Sequence, residues 1–283
     1  MIMKNSLAVV GCAIKDARVM TVGVQIASML STVDILLLLG VATLGHVMAI
    51  IWLFSDRQAW KFCQIKIYDL KIENAQVRRE LKNSLHTPTH AVLLLITISA
   101  GAFGGDGSVA LISSVIVTFL IAEVWHFVSH RMMHTKTLHW IHAEHHKSRI
   151  CSPFTAISFS FWEKIIFDLG IIIPLVILDQ TILPIDATGV LLWFAGYLII
   201  NSYSHANFEF RKWPYPRRLG KFMTSTTYHA LHHSRYTGNY GLGTRFLDRA
   251  FKTEWEDYEG VFERVTEQKT PLKRLKEQVI ETD

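Results

Sequence analysis

Cysteine is scarce in this sequence. Only Cys12, Cys63 and Cys151 occur, and none of them has the close, repeated spacing of a disulfide framework or a thiolate metal site. Iron–sulfur clusters, which need grouped cysteines, are therefore excluded. A glycine-rich dinucleotide fingerprint and a fused haem domain are also missing, so any redox chemistry needs electrons from a separate protein.

Net charge is low as well. The chain has 283 residues and a net charge of +5, without a nucleic-acid motif or an internal repeat. We therefore predict no nucleic-acid partner. Apolar residues make up 50% of the chain and lie in long blocks rather than with the periodicity of a soluble core. This arrangement predicts an integral membrane protein.

The first predicted membrane span is Val33 to Phe54, which has the roughly 20 apolar residues that a span needs. Val19 to Leu30 is apolar but too short to cross, and whether it forms a second, partly inserted helix stays open. His46 lies inside the predicted span without a second histidine at helical spacing. We expect its ring to hydrogen-bond to a neighbouring helix rather than to bind a metal.

Two apolar hairpins follow, each with a turn that lacks lysine and arginine. Their arms are Ala91 to Phe103 with Val109 to Ala122, and Leu169 to Leu178 with Thr188 to Ser204. The segment Ser55 to His90, by contrast, carries seven basic residues. Because basic loops stay in the cytosol, both turns are predicted outside and the polar segments inside. A short helix at the headgroup level is expected over Phe159 to Ile166.

Histidine is concentrated in three clusters. Seven of the fourteen histidines lie between Glu123 and Arg149. His130 and His134 are spaced i, i+4 in a run that favours a helix, so both rings lie on one face. The other two clusters share the spacing HxxHH and comprise His142, His145, His146, His229, His232 and His233.

Eight clustered imidazoles are enough for two metal ions. Imidazole suits zinc, copper, iron and nickel, and a site built from histidine disfavours calcium and magnesium. The hairpin topology places all three clusters on one cytosolic side, as a shared metal site requires. The predicted fold is an all-α integral membrane helical bundle with about four to five transmembrane helices and a cytosolic histidine-rich helical cap.

These motifs resemble the membrane fatty acid hydroxylase and sterol desaturase superfamily, whose pattern is HxxxH, HxxHH and HxxHH between membrane spans. The resemblance covers about Glu123 to Glu256. His130 and Arg131 begin the superfamily's HRxxH form, and Asn239 to Gly241 is similar to its NYG block. Leu247 to Thr253 is similar to LDRLFGT, with departures at positions 250 and 252.

One further departure concerns the stretch after the second cluster. Many sterol-type members read roughly SPxTAxxFHPxE, whereas Ser152 to Ala156 here leads to Phe159 to Glu163 without the His-Pro pair. The oxygenase expectation survives this difference, but it leaves the substrate open.

The resemblance implies a non-haem di-iron oxygenase. Such an enzyme holds two Fe ions, takes O2 as co-substrate and desaturates or hydroxylates a C–H bond of a lipid, either sterol-like or fatty-acyl. It implies a separate electron donor, cytochrome b5-like or ferredoxin-like. We expect a span and cytosolic linker over residues 1–90, a catalytic domain over 91–256 and a charged tail over 257–283, in which Pro271 to Ile280 forms an amphipathic helix.

His205 is a ninth predicted ligand. It follows the last predicted span and so reaches the same end as the clusters, and the superfamily often has an additional histidine between its second and third motifs. Asn201 lies i−4 to it and shares its helix face. The alternative is that His205 only caps the helix end. His126 and His139 lie near the clusters but outside their spacing, and we expect neither to bind metal.

Some charged residues have more than one interpretation. Glu123 and Asp248 either orient ligand rings or pair with an arginine such as Arg131 or Arg245. The basic, aromatic segment Phe208 to Lys221 is either an anchor to anionic headgroups, a dock for an acidic electron donor, or a plain interfacial belt.

Two other functions are possible for a histidine-rich membrane protein. A metal transporter places histidines within its spans, whereas these clusters lie beyond the apolar runs. A bis-histidine haem electron carrier needs one facing pair per haem and does not require doubled His-His steps. Both alternatives are weaker than the oxygenase.

Overall fold

The computed structural model describes residues 31–57, 64–210 and 220–278. The predictions for Val19 to Leu30 and for most of the segment Phe208 to Lys221 fall outside these ranges. Within them the chain is mostly helical. The helices, in chain order, are α1 Thr32–Arg57, α2 Asn74–Asn83, α3 Thr89–Ser99, α4 Gly107–Met133, α5 His139–His146, α6 Phe161–Thr181, α7 Ala187–Ser204, α8 Thr226–Arg235, α9 Phe246–Ala250 and α10 Tyr258–Thr266.

Two short strands correct the all-α expectation. β1 (Gln64–Lys66) pairs antiparallel with β2 (Phe208–Phe210), in the register Gln64 opposite Phe210. Strands of three residues are too short to show an alternating pattern. They tie the segment after α1 to the segment after α7, and Asn207 extends the link through a hydrogen bond from the Tyr68 amide to its side chain at 3.0 Å.

Two helices are long and apolar enough to cross a membrane, among the residues that the structure describes. They are Thr32–Phe54, with a mean hydropathy of 2.3, and Gly107–Met133, with 2.1. Only 28% and 17% of these windows are buried, so their apolar side chains face outward. A soluble protein rarely leaves an apolar surface of this extent in water. The protein is therefore a membrane protein.

The helices pack into one bundle. α7 lies against α1 and α4, while α6 lies between α3 and α4. Gly189 allows α7 to approach α4, because a Cβ atom there would lie 2.6 Å from the Leu111 carbonyl oxygen. α6 is one continuous helix with Pro174 inside it. The short helix predicted over Phe159 to Ile166 is not a separate element, because its helical residues form the first turns of α6 after the Ser160 N-cap. Its place at the headgroup level stays a prediction.

The two hairpin turns lie against each other. The Gly104 amide donates to Asp179 Oδ1 at 2.9 Å, and the Gly105 amide donates to the Ile185 carbonyl at 2.9 Å. α4 has 27 residues and is about 40 Å long, so its turn end is far from the end that carries His130. All three histidine clusters lie at this second end. Which side of the membrane it faces stays a prediction.

The helix predicted over Pro271 to Ile280 is wrong for its described residues. Leu272 is fully buried, its amide donates to the Ile67 carbonyl at 2.7 Å, and its carbonyl accepts from the Asp69 amide at 2.9 Å. Backbone groups bonded in this way are not free to form a helical ladder. The amphipathic helix of the tail is α10, which precedes this segment.

We expect the buried Glu209 on β2 to make the stability of the protein depend on pH. It is fully buried and accepts hydrogen bonds from the Thr227 amide and hydroxyl, and burial raises its pKa from 4.5 to about 7. The folded state therefore holds this proton more tightly than the unfolded state does. Protonation of Glu209 thus adds about 3 kcal/mol to the free energy of unfolding. This contribution is present below pH 4.5 and is lost as the pH rises through 7.

Thermal unfolding of detergent-solubilised protein tests this effect. Glu209→Gln retains an oxygen acceptor and does not ionise, so the variant should gain in unfolding temperature relative to wild type between pH 5 and pH 8. Glu73→Gln, at an exposed position, should show no such trend. A difference between Glu209→Gln and wild type that stays constant with pH would show that the carboxyl does not titrate in this range.

Candidate metal centre

The candidate ligands come from four helices that meet at one end of the bundle. His130 lies in the last turn of α4, and His134 is the residue at which that helix ends. α5 carries the second cluster and α8 carries the third. His205 ends α7. The structure thus brings together residues that are more than a hundred positions apart in sequence.

The nine histidines form two groups. In each group one nitrogen per ring lies within 4.8 Å of the corresponding atom of every other member. The first group comprises His130, His134, His142, His146 and His232, and the second comprises His145, His205, His229 and His233. These are the nine residues that the sequence predicts as ligands, and neither His126 nor His139 is among them. Their binding of a metal remains a proposal.

Helical geometry explains the doubled His-His step. His142 and His146 are spaced i, i+4 and lie on one face of α5, so both belong to the first group. His145 points from an adjacent face and belongs to the second group. On α8 the division is reversed, because His229 and His233 share a face and belong to the second group. Each HxxHH helix therefore contributes to both groups.

The rings are buried and neutral. His232 and His233 are completely buried, and His205 is 1% exposed. Burial lowers the pKa of His205 to about 4 and that of His134 to about 2. The pKa values of the six histidines in the two HxxHH clusters are lowered for the same reason, with a further contribution from neighbouring histidines. Neutral imidazole is the form that binds metal.

Hydrogen bonds on the outer side of the rings set their tautomers. Five Nδ1 atoms donate to backbone carbonyls at 2.7 to 3.1 Å. The pairs are His130 with Tyr240, His145 with Ser158, His205 with Asn201, His232 with Gly238, and His233 with Ser148. With the proton on Nδ1, the Nε2 atom of each ring presents its lone pair to the interior of the site.

These lone pairs face one another. His205 Nε2 lies 3.3 Å from His145 Nε2, and both rings have their proton on Nδ1, so no hydrogen is available between them. In the first group, the buried Nε2 atoms of His130 and His142 have no hydrogen-bond partner within the part of the chain that the structure describes. Facing lone pairs repel each other unless a cation lies between them. The residues therefore fit a metal ion in each group.

A buried carboxylate holds one of these rings. Glu163 Oε1 accepts a hydrogen bond from His142 Nδ1 at 2.5 Å, and Glu163 is only 4% exposed. A carboxylate in this position orients the ring and increases its basicity as a ligand. Glu163 is not among the residues predicted from the sequence. The available signal was the glutamate that ends the SPxTAxxFHPxE block.

The two roles predicted for Glu123 and Asp248, orienting a ligand ring directly or pairing with an arginine, are not observed among the described residues. Glu123 accepts from the Gly243 and Thr244 amides at 3.0 and 2.8 Å, and Asp248 accepts from the Tyr240 and Gly241 amides at 2.9 and 2.6 Å. Among the described residues, neither contacts a ligand ring, Arg131 or Arg245. The reason is local: both carboxylates satisfy turn amides of the NYG loop. Asp248 thereby positions the Tyr240 carbonyl that accepts from His130.

The remaining predicted histidines have ordinary contacts. His46 Nε2 lies 3.1 Å from Ser84 Oγ, as expected for a ring bonded to a neighbouring element. His139 contacts the Tyr236 hydroxyl. His126 is half-buried, and its ring centre lies 5.0 Å from that of His130, so it is closer to the site than the sequence indicated.

A narrow pocket borders both groups. Histidines from each group lie along one side of it, and its apolar wall comprises Met133, Phe159, Phe167, Tyr197 and Leu242. The lining also includes His90, His126, Ser129, Glu163, Lys164 and Asn201. An apolar pocket next to a polar centre is suited to a hydrophobic molecule whose reacting atom reaches the histidines.

The sequence model of the family described as fatty acid hydroxylase matches residues 115–253. This segment contains all nine histidines of the two groups. Residues 115–253 belong to the fatty acid hydroxylase family. The resemblance drawn from the histidine motifs is thus confirmed.

Relatives of this domain include two kinds of lipid enzyme. The chain is 28% identical to a very-long-chain aldehyde decarbonylase of Arabidopsis thaliana over 237 residues, which are 77% of this chain and 36% of that protein. It is 30% identical to a methylsterol monooxygenase of Aspergillus fumigatus over 139 residues, which are 49% of this chain and 45% of that protein. The chain thus spans less than half of either relative. No solved structure matches it.

Proposed function

We propose that the protein is a membrane-bound, non-haem di-iron oxygenase that hydroxylates or desaturates a lipid. The observation that carries this proposal is the arrangement of nine histidines, eight of them buried, in groups of five and four on shared helices. Neighbouring rings on one helix belong to different groups, so the same helices would hold both metal ions. Two independent metal sites would not need helices shared in this way. The coarser assignment, an oxidative lipid-modifying enzyme, follows from the family and its relatives.

The protein's own residues prepare the site. Bound iron would supply the redox chemistry with O2, which side chains cannot provide. The carbonyl acceptors and Glu163 hold the rings in one tautomer and orientation, so that metal binding requires little rearrangement. Phe159, Phe167 and Leu242 keep water from the pocket side of the centre, where it would compete with the substrate.

The substrate we propose is a lipid with a long chain or a sterol-like ring system. The apolar pocket is suited to such a molecule, and the printed names of the relatives refer to very-long-chain aldehydes and to methylsterols. Hydroxylation and desaturation both begin with removal of a hydrogen atom from carbon, so one site can serve either outcome.

The electrons and the membrane arrangement complete the proposal. We assign electron supply to a separate cytochrome b5-like or ferredoxin-like donor, with the basic segment 208–221 as its dock or as a headgroup anchor. The bundle crosses the membrane several times, with the histidines on the cytosolic face and the catalytic domain over residues 91–256. The positive-inside pattern supports this orientation.

Neither alternative function accounts for the geometry. A transport pathway would distribute ligands along the spans, whereas the nine rings lie together at one end. A bis-histidine haem carrier would leave seven of these nine rings without a role.

Lipid analysis of cells with and without the gene, grown under 18O2, tests the proposed function. Expression should produce a lipid with one added oxygen-18 atom or one added double bond. A His232→Ala strain should match the strain without the gene, because that ring belongs to the first group. Identical lipid profiles in all three strains, with folded protein in the membrane, would contradict the oxygenase.

A further inference from the structure

Three buried ionisable residues outside the histidine groups form a chain beside the pocket. Asp168 and His90 are 0% and 2% exposed, and Lys164 is 3% exposed. Lys164 and Asp168 lie one turn apart on α6, while His90 comes from the first turn of α3. His90 and Lys164 both line the pocket that borders the two groups.

The hydrogen bonds of this chain have a defined direction. The Asp168 carboxylate accepts a hydrogen bond from His90 Nδ1–H, so His90 Nε2 carries a lone pair. That lone pair accepts a hydrogen bond from Lys164 Nζ at 2.9 Å. The Lys164 ammonium is therefore held in place by the imidazole, which is itself held by a carboxylate.

Lys164 retains unused donor capacity. An ammonium has three N–H groups, and the only hydrogen-bond acceptor that the described residues offer it is His90 Nε2. On another side it lies 4.7 Å from the centre of the Phe159 ring, which is part of the pocket wall. Buried N–H groups without acceptors are unfavourable, so the remaining N–H groups of Lys164 favour an oxygen atom of a bound molecule close to Nζ.

The charges around Lys164 indicate which kind of oxygen this is. The two carboxyl groups whose charges act on it are those of Asp168 and Glu163, and in each of them one buried oxygen has no hydrogen-bond partner among the described residues. One ammonium thus already faces two carboxyl groups. A third carboxylate, such as that of a free fatty acid, would add uncompensated negative charge. A neutral carbonyl or hydroxyl oxygen meets no such repulsion.

We propose that Lys164 binds a neutral oxygen of the substrate, and that the pocket selects lipids carrying a carbonyl or hydroxyl group over plain hydrocarbons and free fatty acids. Bound in this way, the oxygen fixes the distance between the histidine groups and the neighbouring carbon. This inference rests on the proposed function for the identity of the site, but it is a statement about binding and can be tested without turnover.

The test is equilibrium binding of radiolabelled C16 ligands to the purified iron-loaded protein in lipid nanodiscs. The probes are 1-hexadecanol, hexadecanal, hexadecane and hexadecanoate. Wild type should bind the alcohol and the aldehyde about 10- to 100-fold more tightly than the alkane, as expected for one hydrogen bond to a charged donor. Equal binding of all four ligands by wild type would overturn the proposal without the need for any variant.

Variants then separate binding from a structural role. Lys164→Met should lose the preference for the alcohol while hexadecane binding stays unchanged, and His90→Gln should weaken the preference by releasing the ammonium. If Lys164→Met does not fold, the wild-type ligand series and the His90→Gln variant still test the proposal. A folded Lys164→Met protein that keeps the preference would overturn the proposal. Selective binding without oxidation would instead contradict the proposed function alone.

Discussion

His205→Ala is expected to remove one of the two metal ions and to lower turnover by more than about 100-fold, since even residues that only orient ligands cost 10- to 100-fold. His205 Nε2 lies 2.8 Å from His229 Nε2 and 3.3 Å from His145 Nε2, in the middle of the second group. The helix-cap alternative requires a charged ring. Burial instead keeps this ring neutral, with its pKa lowered to about 4.

The matched control is His139→Ala. His139 is half-buried, contacts the Tyr236 hydroxyl and belongs to neither group. This variant should keep most of the iron and activity. His126→Ala is a poorer control than the sequence indicated, because that ring packs on His130. Full iron content and turnover in folded His205→Ala would show that the other three histidines of the second group are enough to hold its metal ion.

Glu163→Gln is expected to lower iron affinity or turnover by about 10- to 100-fold. The carboxylate accepts from His142 Nδ1, and an amide in its place is a weaker acceptor with its NH2 group able to face the ring. Because His142 belongs to the first group, metal loss should be confined to that group. Metal analysis together with turnover of the variant measures both effects.

Glu144→Gln is the control for Glu163→Gln. Glu144 lies on α5 beside the site, but its partners are Arg79, Lys147 and Asn83 rather than a ligand ring. It should leave iron and turnover unchanged. Equal behaviour of the two variants would mean that Glu163 does not support His142.

The composition of the site could be predicted from sequence because it depends on local spacing. The i, i+4 rule places His142 with His146 and His229 with His233, and the hairpins bring α7 and its His205 to the same end. Glu163 could not be predicted in the same way. It reaches His142 from α6 across the fold, and only its position in a partly matching block pointed to it.

The outer contacts of the rings could not be predicted at all. His130, His145, His205, His232 and His233 donate to backbone carbonyls. Every residue type has a carbonyl, so sequence contains no signal for which one is used. The same reason explains the misassigned carboxylates. Glu123 and Asp248 bind amides of a turn whose path is set by tertiary contacts.

The fold, too, could be predicted from the sequence only in part. An apolar block of about 20 residues identified α1, and the shorter arm Val109 to Ala122 identified the first part of α4. The ribbon of β1 and β2 and the extended segment at Leu272 were missed, because each depends on pairing with a distant part of the chain. Such pairings are decided by tertiary structure rather than by the periodicity of a short segment.

Metal analysis with an optical spectrum of purified, active protein is the most direct test of the two-metal centre. The account predicts about two irons per chain and no Soret band, because nine histidines in two groups fit two ions and no haem. Zinc in an overexpressed, inactive preparation would not count against it, since histidine sites readily take other divalent ions. Active protein with iron near zero, or with a Soret band that accounts for its iron, would contradict it.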